Sequence, residues 1–163
     1  MGCGKSSVGR VVAARLHFGF FDTDEFIEAH VGKSVTGIFA EDGEPAFREY
    51  ERQVVEHLKG LENMVIATGG GLPVKEKNLA SLKSHALVVY LWASPQKIWQ
   101  RVRHQQHRPL LQGPDPQARI QQLLTAREPF YRQADVLLNT ERRSVAEVAR
   151  HIVHEFRAAV SAQ

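Results

Sequence analysis

The sequence predicts an α/β fold of three layers around a largely parallel sheet. Amphipathic stretches alternate along the chain with short apolar runs. The runs Met64 to Thr68 and Ala86 to Leu91 are apolar without a polar face, as in strands covered on both sides. The length of 163 residues, 43% hydrophobic and 24% charged, suits one compact domain over 1–163.

The elements follow in order. Val8, Val11, Val12 and Leu16 recur at helical spacing over Ser7 to Leu16, and Phe18 to Asp22 reads as a strand after the break at Gly19. Pro45 opens a second helix whose stripe is Phe47, Tyr50, Val54 and Leu58. The run Met64 to Thr68 stops at Gly69-Gly70-Gly71, and after the next run Ser94-Pro95 starts a helix carrying Trp99 and Val102. Residues 103–116 are polar and proline-bearing and are expected to form a mobile lid segment. A helix from Pro116 to Tyr131, a strand at Val136 to Leu138 and a closing helix marked by Val145, Val148, Ile152 and Phe156 complete the order. Trp92 and Trp99 are expected in the core.

Lys and Arg total 21 against 18 Asp and Glu, a net charge of +3 that demands no nucleic-acid partner. The arginines between Arg101 and Arg108 and the pair Arg142-Arg143 suit a small anion or a phosphate backbone equally. One cysteine, Cys3, excludes an internal disulfide, and no apolar run is long enough to span a bilayer, so a cytoplasmic, membrane-free protein is expected. The eight histidines show no metal-ligand spacing.

Chemistry enters at the amino end. Met1-Gly2-Cys3-Gly4-Lys5-Ser6 matches the tail of G-x-x-x-x-G-K-[ST], whose first glycine would fall two residues before Met1. Backbone N–H groups at Gly2, Cys3, Gly4, Ser6 and Ser7, opening a helix, suit phosphate oxygens. Lys5 would reach the β- and γ-phosphates of ATP, and the Ser6 hydroxyl would ligate Mg²⁺. A phosphate-loop NTPase fold follows, with a mostly parallel five-stranded sheet whose first strand is missing from this sequence. Losing about five buried apolar residues at roughly 1.5 to 3 kcal/mol each rivals a domain's stability of about 5 to 15 kcal/mol, so poor folding or weak ATP binding is expected.

Asp22 and Asp24 end the next strand with spacing two, which places both on one side of it, at the ligand edge of a parallel sheet. Asp22 is placed to hold Mg²⁺ through water and Asp24 to orient or deprotonate a hydroxyl. The plainer reading makes the first aspartate a helix cap. Phe47-Arg48-Glu49-Tyr50-Glu51, the glycine triplet, Arg108-Pro109-Leu110-Leu111 and Arg127-Glu128-Pro129-Phe130-Tyr131 follow. Taken alone, Arg48 and Glu51 read better as a surface ion pair.

In this order and spacing the set closely resembles the shikimate kinases, over nearly the whole chain. The resemblance implies transfer of the γ-phosphoryl group of ATP to the 3-hydroxyl of shikimate, with Mg²⁺, in aromatic amino acid biosynthesis; a monomer is expected. It implies Asp24 as base, Arg48 and Arg127 as binders of the shikimate carboxylate, and Gly70 as the place where the ring approaches backbone. It implies Arg108 as a lid arginine over the moving phosphoryl group, and Arg101 and Arg143 as flanking adenine. Ser144-Val145 departs from the Asn-Pro of some relatives next to the latter. A kinase for another hydroxylated acid such as gluconate, a nucleotide- or RNA-binding module and an inactive fragment remain the alternatives.

Overall fold

The computed structural model describes residues 2–104 and 114–162. Gly4, in the left-handed conformation at φ 83°, turns the chain into α1, Lys5–Leu16. β1, Gly19–Asp22, leads into α2, Thr23–Val31, then α3, Val35–Glu41, and α4, Gly43–Leu58. β2, Met64–Ala67, is followed by a 3₁₀ turn at Leu72–Val74 and by α5, Glu76–Lys83. β3, Val89–Trp92, α6, Pro95–Val102, α7, Pro116–Tyr131, β4, Val136–Asn139, and α8, Val145–Ser161, complete the chain.

The four strands form two parallel pairs. β1 lies beside β2 in the register Gly19 with Met64 to Asp22 with Ala67, and β3 beside β4 from Val89 with Val136 to Trp92 with Asn139. Among the described residues no ladder joins β2 to β3. The described strands thus lie in two pairs rather than in one continuous ladder.

Two cores flank the split. The first gathers Val8 and Val12 of α1 with Leu91, Leu138, Ile98, Ile120 and Val148. The second gathers Ile27, Ile38, Phe47, Val55, Leu72 and Leu82. Val65 packs on the first core and its neighbour Ile66 on the second, because successive strand side chains point to opposite faces. β2 is therefore covered on both sides, which makes the third layer.

Several boundaries moved for physical reasons. α2, α3 and α5 were not anticipated, although Asp22 caps α2 and Ser34 caps α3 by accepting from the Gly37 amide at 3.0 Å. β3 begins at Val89 rather than Ala86, since the Ala86 amide still donates to Leu82 O at 3.0 Å and closes the end of α5. Trp92 is 39% exposed at the end of β3, not in the core, whereas Trp99 is partly buried against the first core. Of the expected lid, Arg103, His104 and 114–116 are described; Arg108 and Gly113 lie outside the described residues.

Candidate active site

Gly4 ends the loop and Lys5 begins α1, so the first amides of the helix face outward from the carboxyl ends of the strands. Ser6 Oγ donates to Asp22 Oδ2 at 2.7 Å, tying the loop to the end of β1. Asp22 also caps α2, its Oδ1 accepting from the Asp24 amide at 3.0 Å. The two carboxylates are thus not successive strand side chains: the cap turns the chain, and Asp24 sits in the first turn of α2. Cys3 is buried against the first core, and Ser7 is exposed. Arg101 donates to Gly2 O at 3.3 Å, to Thr140 Oγ1 at 3.0 Å and to Thr140 O at 2.6 Å, which fastens the loop to the end of β4.

The glycine triplet lies opposite. The Gly69 amide donates to the buried Thr23 Oγ1 at 2.9 Å. A Cβ on Gly69 would lie 2.6 Å from Asp24 Oδ1 and 3.1 Å from Glu51 Oε1, and one on Gly71 would collide with the Arg48 guanidinium. Only glycine admits these charged groups against the backbone. Tyr131 Oη donates to Gly70 O at 2.6 Å, binding α7 to the same turn.

Arg48 bonds Glu51 Oε2 at 2.6 Å and Glu44 Oε1 at 2.5 Å. The Arg48 side chain is 18% exposed and that of Glu51 only 2%, so the second is no surface pair. Glu51 Oε1 has no hydrogen-bond partner among the described residues. Burial raises the Glu51 pKa, Arg48 opposes this, Asp24 adds to it, and the charge of Arg127 again opposes. Burial acts to lower that of Arg48, but Glu51 and then Glu44 outweigh it and the net shift is upward. Tyr131 is raised by burial, against the pull of Arg127. Asp24, Arg48, Glu51 and Arg127 therefore form one electrostatic group around the glycine turn.

Sequence reasoning missed Thr23, Tyr131 and Thr140 as positioning groups and the burial of Glu51. Only Tyr131 carried a signal, being four residues from Arg127 on one helix. Arg143 is exposed and lines a surface cavity of 410 Å³ with Glu147, Arg150, His151 and His154 on α8. No group of three or more His, Cys, Asp or Glu that could hold a metal occurs among the described residues. The Ser6 hydroxyl beside the Asp22 carboxylate nonetheless fits Mg²⁺, which takes a few hard oxygen ligands and otherwise keeps water and phosphate.

A glycine loop at a helix N-terminus, facing a carboxylate and arginines across the carboxyl ends of parallel strands, is the layout of a phosphate-loop kinase for a small acid. The family model for shikimate kinase matches residues 1–157. The shikimate kinase of Cupriavidus pinatubonensis is 46% identical over 94% of this chain and 80% of its own length. That of a Synechococcus species is 51% identical over 83% of this chain and 72% of its own. The solved shikimate kinase of Acinetobacter baumannii, in complex with shikimate, superposes with a TM-score of 0.93 at 34% identity, covering 98% of this chain and 89% of that one. The chain belongs to the shikimate kinase family.

Proposed function

We propose that this protein transfers the γ-phosphoryl group of ATP to the 3-hydroxyl of shikimate, giving shikimate 3-phosphate and ADP. The observation that carries this reading is the group of Asp24, Arg48, Glu51 and Arg127 around Gly69 to Gly71, which offers a hydroxylated carboxylic acid both a base and cationic anchors.

In this reading the backbone of Gly2, Cys3, Gly4, Ser6 and Ser7 cradles the phosphates, and Lys5 meets the β- and γ-phosphates. Ser6 and Asp22 would hold Mg²⁺, which supplies neutralisation of phosphate charge when bound. Arg48 and Arg127 hold the substrate carboxylate. Glu51 keeps Arg48 in place through its 2.6 Å bond. Tyr131 holds the Gly70 carbonyl, fixing the surface on which the ring rests. Asp24 orients the hydroxyl and takes its proton as the hydroxyl oxygen bonds to the γ-phosphorus and the bond from that phosphorus to the β,γ-bridging oxygen breaks. Arg108, outside the described residues, is assigned to the charge on the moving group. Arg101, fixed by Thr140, and Arg143 are assigned to the flanks of adenine, where a guanidinium plane can stack.

No helix among the described residues is long and apolar enough to cross a membrane. We read the protein as a cytoplasmic monomer, and sedimentation showing a stable dimer would contradict the second half of that. The function is tested by coupled ADP release with ATP, Mg²⁺ and shikimate. Release that depends on shikimate and yields a 3-phosphate is expected. Release driven by gluconate, or independent of any acceptor, would overturn the assignment.

A further inference from the structure

Elsewhere on the surface arginines are answered by carboxylates: Arg10 by Glu25, Arg52 by Glu49 and Arg132 by Glu128. Arg101, partly buried in the last turn of α6, is in none of the ion pairs among the described residues. Its three bonds go to neutral oxygens, Gly2 O, Thr140 Oγ1 and Thr140 O. A partly buried cation without a counter-ion costs the free protein stability, and a bound anion relieves that cost. The charge lies beside the loop that precedes Lys5, where the phosphates of a nucleotide are assigned.

Thr140 holds the guanidinium there. It is buried just beyond β4, and its hydroxyl accepts from Arg101 at 3.0 Å while donating to Trp92 O at 3.2 Å. The Thr140 amide donates to the same carbonyl at 2.9 Å. With its one proton turned to Trp92 O, the hydroxyl leaves a lone pair facing Arg101. The next residue fixes the other end of α6, since Glu141 Oε1 accepts from the amide of the Ser94 cap at 2.5 Å. Consecutive residues after β4 thus pin both ends of α6, and the side chain leaving its last turn is held against Gly2.

These bonds use the edge of a planar group and leave its faces open. One guanidinium can therefore stack on a base and hold the phosphate loop together. Resting on the nucleotide reading above, we propose that Arg101 serves the triphosphate half of ATP as well as the base. It does so by fixing the loop at Gly2 and by bringing unpaired charge to it, and Thr140 is the positioning residue on which both depend. An arginine that only flanked adenine would make no difference to a triphosphate lacking the base. This one should bind the two alike.

The test is calorimetric titration of the 163-residue chain with ATP and with inorganic tripolyphosphate, each with Mg²⁺. The parent is compared with Thr140→Val, which keeps the shape and loses the hydroxyl, with Thr140→Ser, with Arg101→Lys and with the double variant Arg101→Lys, Thr140→Val. Thr140→Val should weaken both ligands by about three- to tenfold, the worth of a hydrogen bond, and Thr140→Ser should restore both. Arg101→Lys should weaken both further, and the double variant should be no weaker than Arg101→Lys alone, because Thr140 acts through Arg101. A loss confined to ATP would overturn the proposal and leave Arg101 as a base contact only. So would additive losses in the double variant, a loss that serine does not restore, as a packing role would give, or a parent that does not bind tripolyphosphate. The expected pattern without shikimate-dependent ADP release would keep this inference and remove the kinase reading instead.

Discussion

On the phosphate side the reactive groups are placed by backbone: Gly4 turns into α1, the Ser6 hydroxyl meets an aspartate that is itself a helix cap, and α8 opens on a capping box between Ser144 and Glu147. On the acceptor side they are placed by one another. Arg48 is held by Glu51 and Glu44, Glu51 is buried with one oxygen lacking a hydrogen-bond partner among the described residues, and Asp24 and Arg127 act on Glu51 through charge. A group set by backbone can lose its side chain and leave the fold alone. A cation paired with a buried carboxylate cannot, because its removal strands that carboxylate. Binding and stability are separable on the first side and coupled on the second.

The largest expected effect tests where Asp24 falls in this division. Asp24→Asn should lower kcat by about 10² to 10⁴-fold, the usual worth of a general base, with an unchanged melting temperature, because α2 is capped by Asp22 and not by Asp24. Coupled ADP release and a thermal melt read the two quantities. Near-normal turnover would remove the base role, and a large loss of stability would move Asp24 into the charge-set group.

The division also explains what was legible in the sequence. α7 runs from Pro116 to Tyr131, the span expected from the sequence, and α6 follows its Ser94 cap, a local signal. The G-K-S and D-x-D motifs were readable for the same reason, lying within one helix and one strand of each other. The helix α2 was hidden because Asp22 reads as chemistry as readily as a cap. Glu51 was misjudged because its burial comes from α4 packing beneath the glycine turn, which spacing on its own helix does not encode. The bond of Arg101 to Gly2 spans 99 positions and has no local signature.

Next in size is Arg48→Ala. It should cost about 3 to 5 kcal/mol of stability, since it leaves the Glu51 carboxylate buried without its cation, and it should raise the KM for shikimate. Replacing both partners, Arg48→Met with Glu51→Met, should restore most of the stability and none of the affinity. Urea melts and saturation curves separate the two. If the double variant is no more stable than the single one, the charges are not what sets this side. Arg127→Ala should raise KM by roughly 10 to 100-fold, the worth of hydrogen bonds to a charged group, and change kcat less. On the phosphate side Ser6→Ala, which loses only the bond to Asp22 in the unliganded protein, should cost about 1 kcal/mol.

The smallest effect is a difference in pH dependence. Far from the glycine turn, burial acts to raise the pKa of Asp135, but the ion pair to Lys83 at 2.7 Å and the Val88 amide outweigh it and hold it below its ordinary 3.8. A carboxyl lowered in the folded state adds stability above its unfolded pKa and loses it as pH falls through the folded one. Glu51 is raised instead, so the folded state binds the extra proton, and stability falls as pH rises from the ordinary 4.5 through the folded pKa. Melting temperatures of the parent, Glu51→Gln and Asp135→Asn, taken between pH 3 and pH 8, should therefore diverge in opposite senses. Relative to each variant, the parent should lose stability upward from about pH 4.5 at Glu51 and downward below about pH 4 at Asp135. A Glu51 difference curve flat in pH would mean that its carboxyl titrates normally, and the acceptor side would then be held by hydrogen bonds rather than by the cost of a buried charge.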